Sequence, residues 1–357
     1  MGNVFIKKKR MTEKMVALSR AYAKSHGHGT SVKGFILNFS NKCNFQCPHC
    51  YTRSGAGEFG ETKLTLEDIR KLADEADTLG VYEIDIQGGE PLLNPQLFDI
   101  LDAIQTERFY VYITTNGWFL DMEMAKKLAE SGVDRISISI DAFSQEEHDK
   151  FRKKEGSFKR CIEAIYNTQM AGMKAYVNIV VGRYNAQSKE LKDFVNYLEE
   201  NNCGIVFNCA SPTGNWRNHY EVMLTEEDSK ALEQLKSDHP SIIRDLWNYF
   251  NPEDKLVYGC PAVNLFYVNP KGDILPCPYI HTKLGNIKEE PLKDILQRGF
   301  SIKKFREYSG KCLVGEDEEF ARKYLDRDMT ILDPIPLEEL FDEEDRVAAD
   351  GDEEKKE

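Results

Sequence analysis

From Gly34 onward the chain alternates strand-like and helix-like runs, and that alternation restricts the fold more than any single residue does. Strand-like runs begin near Phe35, Tyr82, Tyr110, Arg135, Ala175 and Gly204. Between them, Thr65–Leu79, Met122–Glu130, Phe158–Met170 and Ser188–Glu200 carry helical patterns. Thr65 and Asp68 are placed as a capping pair for the first of these. Repeated strand–helix units imply a parallel sheet with right-handed crossovers. Six such units are too few for a closed eight-fold barrel. The expected fold is therefore α/β, an open, partial (β/α)6 TIM-like barrel whose mouth admits a large substrate.

Parallel sheets place their chemistry just beyond the carboxyl ends of the strands. The unusual residue clusters of this chain all fall there. The first strand runs into Cys43–Cys50, the second into Gly88-Gly89-Glu90-Pro91, and the third ends in Asn116-Gly117. The fourth ends in Asp141, the fifth reaches Gly182-Arg183-Tyr184-Asn185, and the sixth ends in Asn208-Cys209-Ala210-Ser211. One rim collects every motif.

Within Cys43-Asn44-Phe45-Gln46-Cys47-Pro48-His49-Cys50, three thiolates packed this closely can hold three irons of a 4Fe–4S cluster. Zinc would want a fourth ligand, and His49 is badly placed to close the same tetrahedron. A zinc knuckle or buried structural thiols are the alternatives. Gly88 and Gly89 let the backbone approach a ligand, and exposed strand-end carbonyls can accept from an ammonium group.

The cysteine spacing, with an aromatic before the last cysteine, resembles the radical S-adenosylmethionine (SAM) superfamily. That resemblance implies a cluster on Cys43, Cys47 and Cys50 whose open iron binds SAM and passes it one electron. The resulting 5′-deoxyadenosyl radical would then abstract hydrogen from substrate, the cofactor carrying the hard chemistry. Gly88, Gly89 and Glu90 look like the superfamily's methionine-binding motif. His49 matches the position whose backbone meets adenine, and Ser139 a serine contacting ribose or methionine. Arg152 lies in a stretch like one that supplies an arginine to the SAM carboxylate. For Ser139 and Arg152, ordinary strand and surface roles are the alternatives.

Asn251-Pro252 marks an expected boundary, and a compact unit follows. It comprises Cys260-Pro261, a strand Leu265–Val268, the turn Asn269-Pro270-Lys271-Gly272 and Asp273–Cys277. The turn makes a β-hairpin whose far ends bring Cys260 and Cys277 together. With Cys312 downstream, this resembles the auxiliary-cluster extension called SPASM or, in shorter form, twitch. The usual downstream cysteine pairs are missing, so the resemblance implies one auxiliary 4Fe–4S cluster on Cys260, Cys277 and Cys312. Its fourth iron is expected to be exchangeable, with Glu316 and Asp317 the nearest carboxylates in sequence. Three structural thiols are the alternative.

Cys161, inside a helical pattern, reads as a small buried hydrophobe. Cys209, on the rim, is a candidate catalytic hydrogen-atom donor, against a plain role in the wall. Nine cysteines without a secretory signal point to a reduced cytoplasm. No run approaches bilayer-spanning length. The net charge is −13, and Pro336–Glu357 holds eleven acidic and three basic residues, net −8, leaving −13 − (−8) = −5 elsewhere. No basic stripe favours nucleic acid.

These readings divide the chain into an N-terminal helix (from about Met11) and linker at 1–33, the barrel at 34–225 and connecting helices at 226–250. The auxiliary-cluster unit follows at 251–315, and an acidic, solvated tail at 316–357. His26-Gly27-His28-Gly29 reads as a flexible connector. The resemblance implies an electron donor such as flavodoxin or ferredoxin. The substrate is expected to be a small or carrier-bound metabolite, because residues before Gly34 are too few for a leader-peptide-binding domain. A peptide-modifying maturase is the alternative enzyme, and an electron-transfer protein the non-enzymatic one.

Overall fold

The computed structural model describes residues 8–24, 31–55, 62–244, 260–306 and 309–347. The His26–Gly29 connector and the Asn251-Pro252 boundary lie outside the described residues. A helix α1 (Lys9–Lys24) precedes the sheet. The expected strands appear as β1 (Gly34–Asn38), β2 (Glu83–Gln87), β3 (Tyr110–Thr115), β4 (Arg135–Ser139), β5 (Lys174–Val181) and β6 (Gly204–Cys209). Helices α2 (Leu66–Thr78), α3 (Leu97–Ile104), α4 (Met122–Glu130), α5 (Gln145–Arg152), α6 (Ser157–Met170) and α7 (Lys189–Glu200) lie between them. The capping box on α2 is formed: the Asp68 amide donates to Thr65 Oγ1, and the Asp68 carboxylate accepts from the Thr65 amide.

Neighbours β1 through β6 pair in parallel and in sequence order. Side chains alternate between the faces of each strand with period two. One set is apolar and joins the main core: Phe35, Leu37, Ile84, Ile86, Val111, Ile113, Ile136 and Ile138. The alternate set is largely polar, and Asp85, Thr114, Asn178 and Asn208 from it line one internal cavity.

The sheet is larger than six strands. After α8 (Glu226–Asp238), the segment expected to continue as connecting helices instead forms β7 (Ile242–Arg244), which pairs in parallel with β6. The expected hairpin forms as β8 (Leu265–Val268) and β9 (Asp273–Leu275). It is not a free-standing unit: β8 pairs in parallel with β1, Gly34 opposite Leu265, extending the barrel sheet past its first strand. Short strands β10 (Thr282–Lys283) and β11 (Gly285–Asn286) follow, with β11 antiparallel to β9. Among the described residues the sheet has ten strands.

The acidic tail is also different from expectation. Ile335–Pro336 pairs with β10, and Leu337, Leu340 and Phe341 are buried, as are Phe320, Tyr324 and Leu325 before them. The Phe341 ring stacks on Tyr324, with centroids 4.6 Å apart, and meets Phe305 edge-on at 5.3 Å. Spaced apolar residues anchor the segment while Glu338, Glu339, Asp342, Glu343 and Glu344 stay exposed. Average charge predicted solvation, and a few large side chains overrode it.

Candidate active site

The cysteine loop leaves β1 and is gripped from both sides. On one side, the Gly89 amide donates to Ser40 O and the Glu90 amide to Lys42 O, each at 2.8 Å. A Cβ on Gly89 would sit 2.1 Å from Lys42 O, so only glycine permits this approach. On the other, the loop after β6 closes in. Asn215 donates from its amide to Cys50 O at 3.1 Å and from Nδ2 to Cys47 O at 3.0 Å. Gly214, with φ of +61°, passes so near Cys50 and Tyr51 that a Cβ would meet Cys50 O at 2.4 Å.

All three cysteines face one cavity, which is also lined by Gly88 and Gly89. Burial pushes the Cys43 thiol up to about 12 and raises Cys47 as well, so metal loading must displace protons. Among the described residues, no three His, Cys, Asp or Glu side chains are grouped tightly enough for a single metal ion. A cubane binds each thiolate at a different iron and needs no such crowding. His49 is turned away from the thiols: its Nε2 lies 3.4 Å from Asp141 Oδ2, and its ring stacks on Phe151 at 5.1 Å. The donor set fits a 4Fe–4S cluster with three protein ligands better than zinc.

Glu90 points into the protein. Its carboxylate accepts from Thr115 Oγ1 at 2.6 Å, the Asn116 amide at 2.8 Å and the Leu92 amide at 3.1 Å. Burial raises its pKa against the pull of these bonds. The side chain thus pins the end of β3 to the glycine loop, which leaves Gly88 and Gly89 to present backbone to the cavity. Asn116 extends the link by donating from Nδ2 to Asn44 Oδ1 at 2.9 Å.

Arg152, at the end of α5, is buried rather than superficial. Its Nη2 lies 2.5 Å from Asp141 Oδ2, and its Nη1 donates to Cys47 Sγ at 3.5 Å. Burial would raise the Asp141 carboxyl, but the Arg152 guanidinium, with His49 and His148, holds it below its ordinary value. Ser139 lines the same cavity. So do residues that the motifs did not single out as site residues, including Asp85, Arg135, Asn178, Asn208 and Trp216. Their signal in the sequence was weak, namely polar residues at alternate strand positions or close after a strand end.

On the far side the hairpin brings its two cysteine-bearing ends together, the Val263 amide donating to Pro276 O at 2.7 Å. Amides of Ala262 and Leu313 donate to the Cys260 thiol, and the Cys260 amide donates to Ser309 O at 3.0 Å, so the Cys312 segment closes over Cys260. Glu316 is turned back onto this segment, accepting from the Cys312 amide at 2.7 Å and from Ser229 Oγ. Cys161 and Cys203 are core residues, donating to Asn116 O and Ala175 O at 3.4 Å each.

The model of the radical SAM superfamily matches residues 37–196, and that of SPASM, an iron–sulfur cluster-binding domain, matches residues 260–317. This chain is a radical SAM protein with a SPASM domain. It is a radical SAM enzyme, and its two domains imply a SAM-binding 4Fe–4S cluster and auxiliary iron–sulfur chemistry. It is similar to an AdoMet-dependent heme synthase of Methanosarcina barkeri, 28% identical, covering 77% of this chain and 85% of that protein. A GTP 3′,8-cyclase of Limosilactobacillus fermentum is 32% identical, covering 52% of this chain and 58% of its own length. In fold it resembles Streptococcus suis SuiB bound to its precursor peptide SuiA (TM-score 0.57, 18% identity), over 78% of this chain and 68% of SuiB. No helix among the described residues is long and apolar enough to cross a membrane.

Proposed function

We propose that this radical SAM enzyme abstracts a hydrogen atom from a small, polar or carrier-bound metabolite held between its two cysteine sets. The observation that carries this reading is one cavity lined by Cys43, Cys47 and Cys50 and also by Cys209, Pro278 and Tyr279, the last two directly following Cys277. When bound, the first cluster supplies one electron to SAM and so releases the 5′-deoxyadenosyl radical. The chain's own residues bind and orient. Gly88 and Gly89 offer backbone close to the cysteine loop, where methionine is proposed to bind. Ser139 lies near the path proposed for the ribose, and the His49 backbone takes the adenine role. Arg152, paired to Asp141 and touching Cys47, holds positive charge beside the thiolate side of the site.

The inner wall favours a polar substrate. Asp85, Asn178 and Asn208 project there, and the Arg135 guanidinium lies 3.8 Å over the Tyr112 ring. The heme synthase and cyclase relatives carry names of small-molecule chemistry, which supports the same choice. Anaerobically reconstituted protein with dithionite should convert SAM to 5′-deoxyadenosine and methionine, and Cys43→Ala/Cys47→Ala/Cys50→Ala should not. A low-mass cell extract should accelerate 5′-deoxyadenosine formation even after protease treatment. Stimulation that protease destroys would overturn the small-molecule reading and leave the cleavage reading intact.

A further inference from the structure

We infer that Cys209, at the end of β6 in the barrel, is the fourth thiolate of the auxiliary cluster, completing the set of Cys260, Cys277 and Cys312. Sequence position alone suggested a hydrogen-atom donor on the rim. The tertiary contacts favour a ligand.

The turn that follows Cys312 is laid directly on Cys209. A Cβ on Gly315 would fall 2.4 Å from Cys209 Cβ and 3.0 Å from Ala210 O, so a side chain at position 315 would push this segment off the end of β6. The approach is held by the Leu224 amide donating to Gly315 O at 2.9 Å and by the Glu316 amide returning to Cys312 O at 2.9 Å. Leu313, beside Cys312, donates its amide to the Cys260 thiol, and Cys209 is near enough to Cys260 to act on it electrostatically. Cys209 also lines the same cavity as Pro278 and Tyr279, the two residues after Cys277. Cysteine-bearing segments from separate parts of the chain therefore approach the end of one barrel strand.

The competing donors are otherwise engaged. Glu316 accepts from the Cys312 amide and from Ser229. Asp317 accepts from the Phe320 amide at 2.9 Å, as the cap of a helical turn. Cys161 and Cys203 are buried in the core, each donating to a backbone carbonyl. Four cysteine thiolates are the ordinary ligand set of a 4Fe–4S cluster. Binding costs Cys209 its thiol proton and involves no electron transfer. Mechanically, a ligand on β6 ties the auxiliary domain to the strand whose following loop also grips Cys47 and Cys50. The inference rests on the SPASM assignment and not on the choice of substrate.

The test uses full-length protein carrying Cys43→Ala/Cys47→Ala/Cys50→Ala, which isolates the auxiliary site, reconstituted anaerobically. This protein should bind about four irons per chain, and the spectrum of its reduced cluster should not respond to added imidazole or cyanide. Adding Cys209→Ser should shift the paramagnetic resonance spectrum of the reduced cluster with iron retained. Adding Cys209→Ala should either open one iron to imidazole or cyanide or leave a three-iron cluster. Circular dichroism should be unchanged in both. An unaltered iron content and spectrum in Cys209→Ser and Cys209→Ala would overturn the assignment, and so would an imidazole-responsive cluster with Cys209 intact. A parent triple variant that binds no iron would overturn it at a different point, by removing the auxiliary cluster, without touching SAM cleavage by the wild type.

Discussion

Arg152 Nη2 lies 2.5 Å from Asp141 Oδ2, and both side chains are almost wholly out of water beneath the cysteine loop. An ion pair this deeply buried costs desolvation to form, and removing one partner strands the other charge. Arg152→Met should therefore destabilise the fold by about 3–5 kcal/mol in anaerobic urea unfolding. Adding Asp141→Asn to Arg152→Met should restore part of that loss. A double variant as unstable as the sum of the two single ones would show that the two groups are not coupled.

Glu90 makes a second prediction, in which structure and chemistry separate. Glu90→Ala leaves the Thr115 hydroxyl and the Asn116 and Leu92 amides without their acceptor, at a cost of at least about 2 kcal/mol. Glu90→Gln keeps one acceptor oxygen and should lose less. Stability is read by urea midpoint, and SAM cleavage should weaken through a raised KM for SAM. Wild-type stability in Glu90→Ala would contradict the pinning role.

His281 gives a pH dependence. Its ring is buried and its Nε2 lies 3.1 Å from Pro278 O, and burial lowers its pKa to about 4 from an ordinary 6.5. Between those values the unfolded chain binds a proton that the folded chain refuses, so stability falls as pH falls from about 6.5 to about 4 and is flat above. The full loss is about 3 kcal/mol. His281→Gln lacks this titration, so wild type should lose stability relative to the variant only below about pH 6.5. A pH-independent difference would refute a neutral buried imidazole.

The C-terminal segment predicts its own energetics. Phe341 is 1% exposed. Phe341→Ala should cost about 3–5 kcal/mol, as for other buried rings. Glu339→Ala, on the exposed side of the same turn, should stay within about 0.5 kcal/mol. Equal small effects on the melting temperature would return this segment to the status of a solvated tail.

The sequence by itself determined the order of strands β1 to β6 and of helices α2, α4, α6 and α7, the capping box on α2, the hairpin at Leu265–Leu275 and the gathering of motifs at strand ends. These follow from local periodicity and turn chemistry, which act over a few residues. Tertiary structure alone decided the rest. Arg152 meets Cys47, which it follows by 105 residues, β8 joins β1 to lengthen the sheet, and Phe341 finds Tyr324 and Phe305. Gly315 lies against Cys209 in the same way. Such contacts depend on which faces of distant elements are brought together by packing, and no period along the chain encodes that. The tail shows the limit most directly: its composition is that of a solvated segment, yet three spaced apolar side chains, Leu337, Leu340 and Phe341, are buried once the rest of the fold supplies a surface.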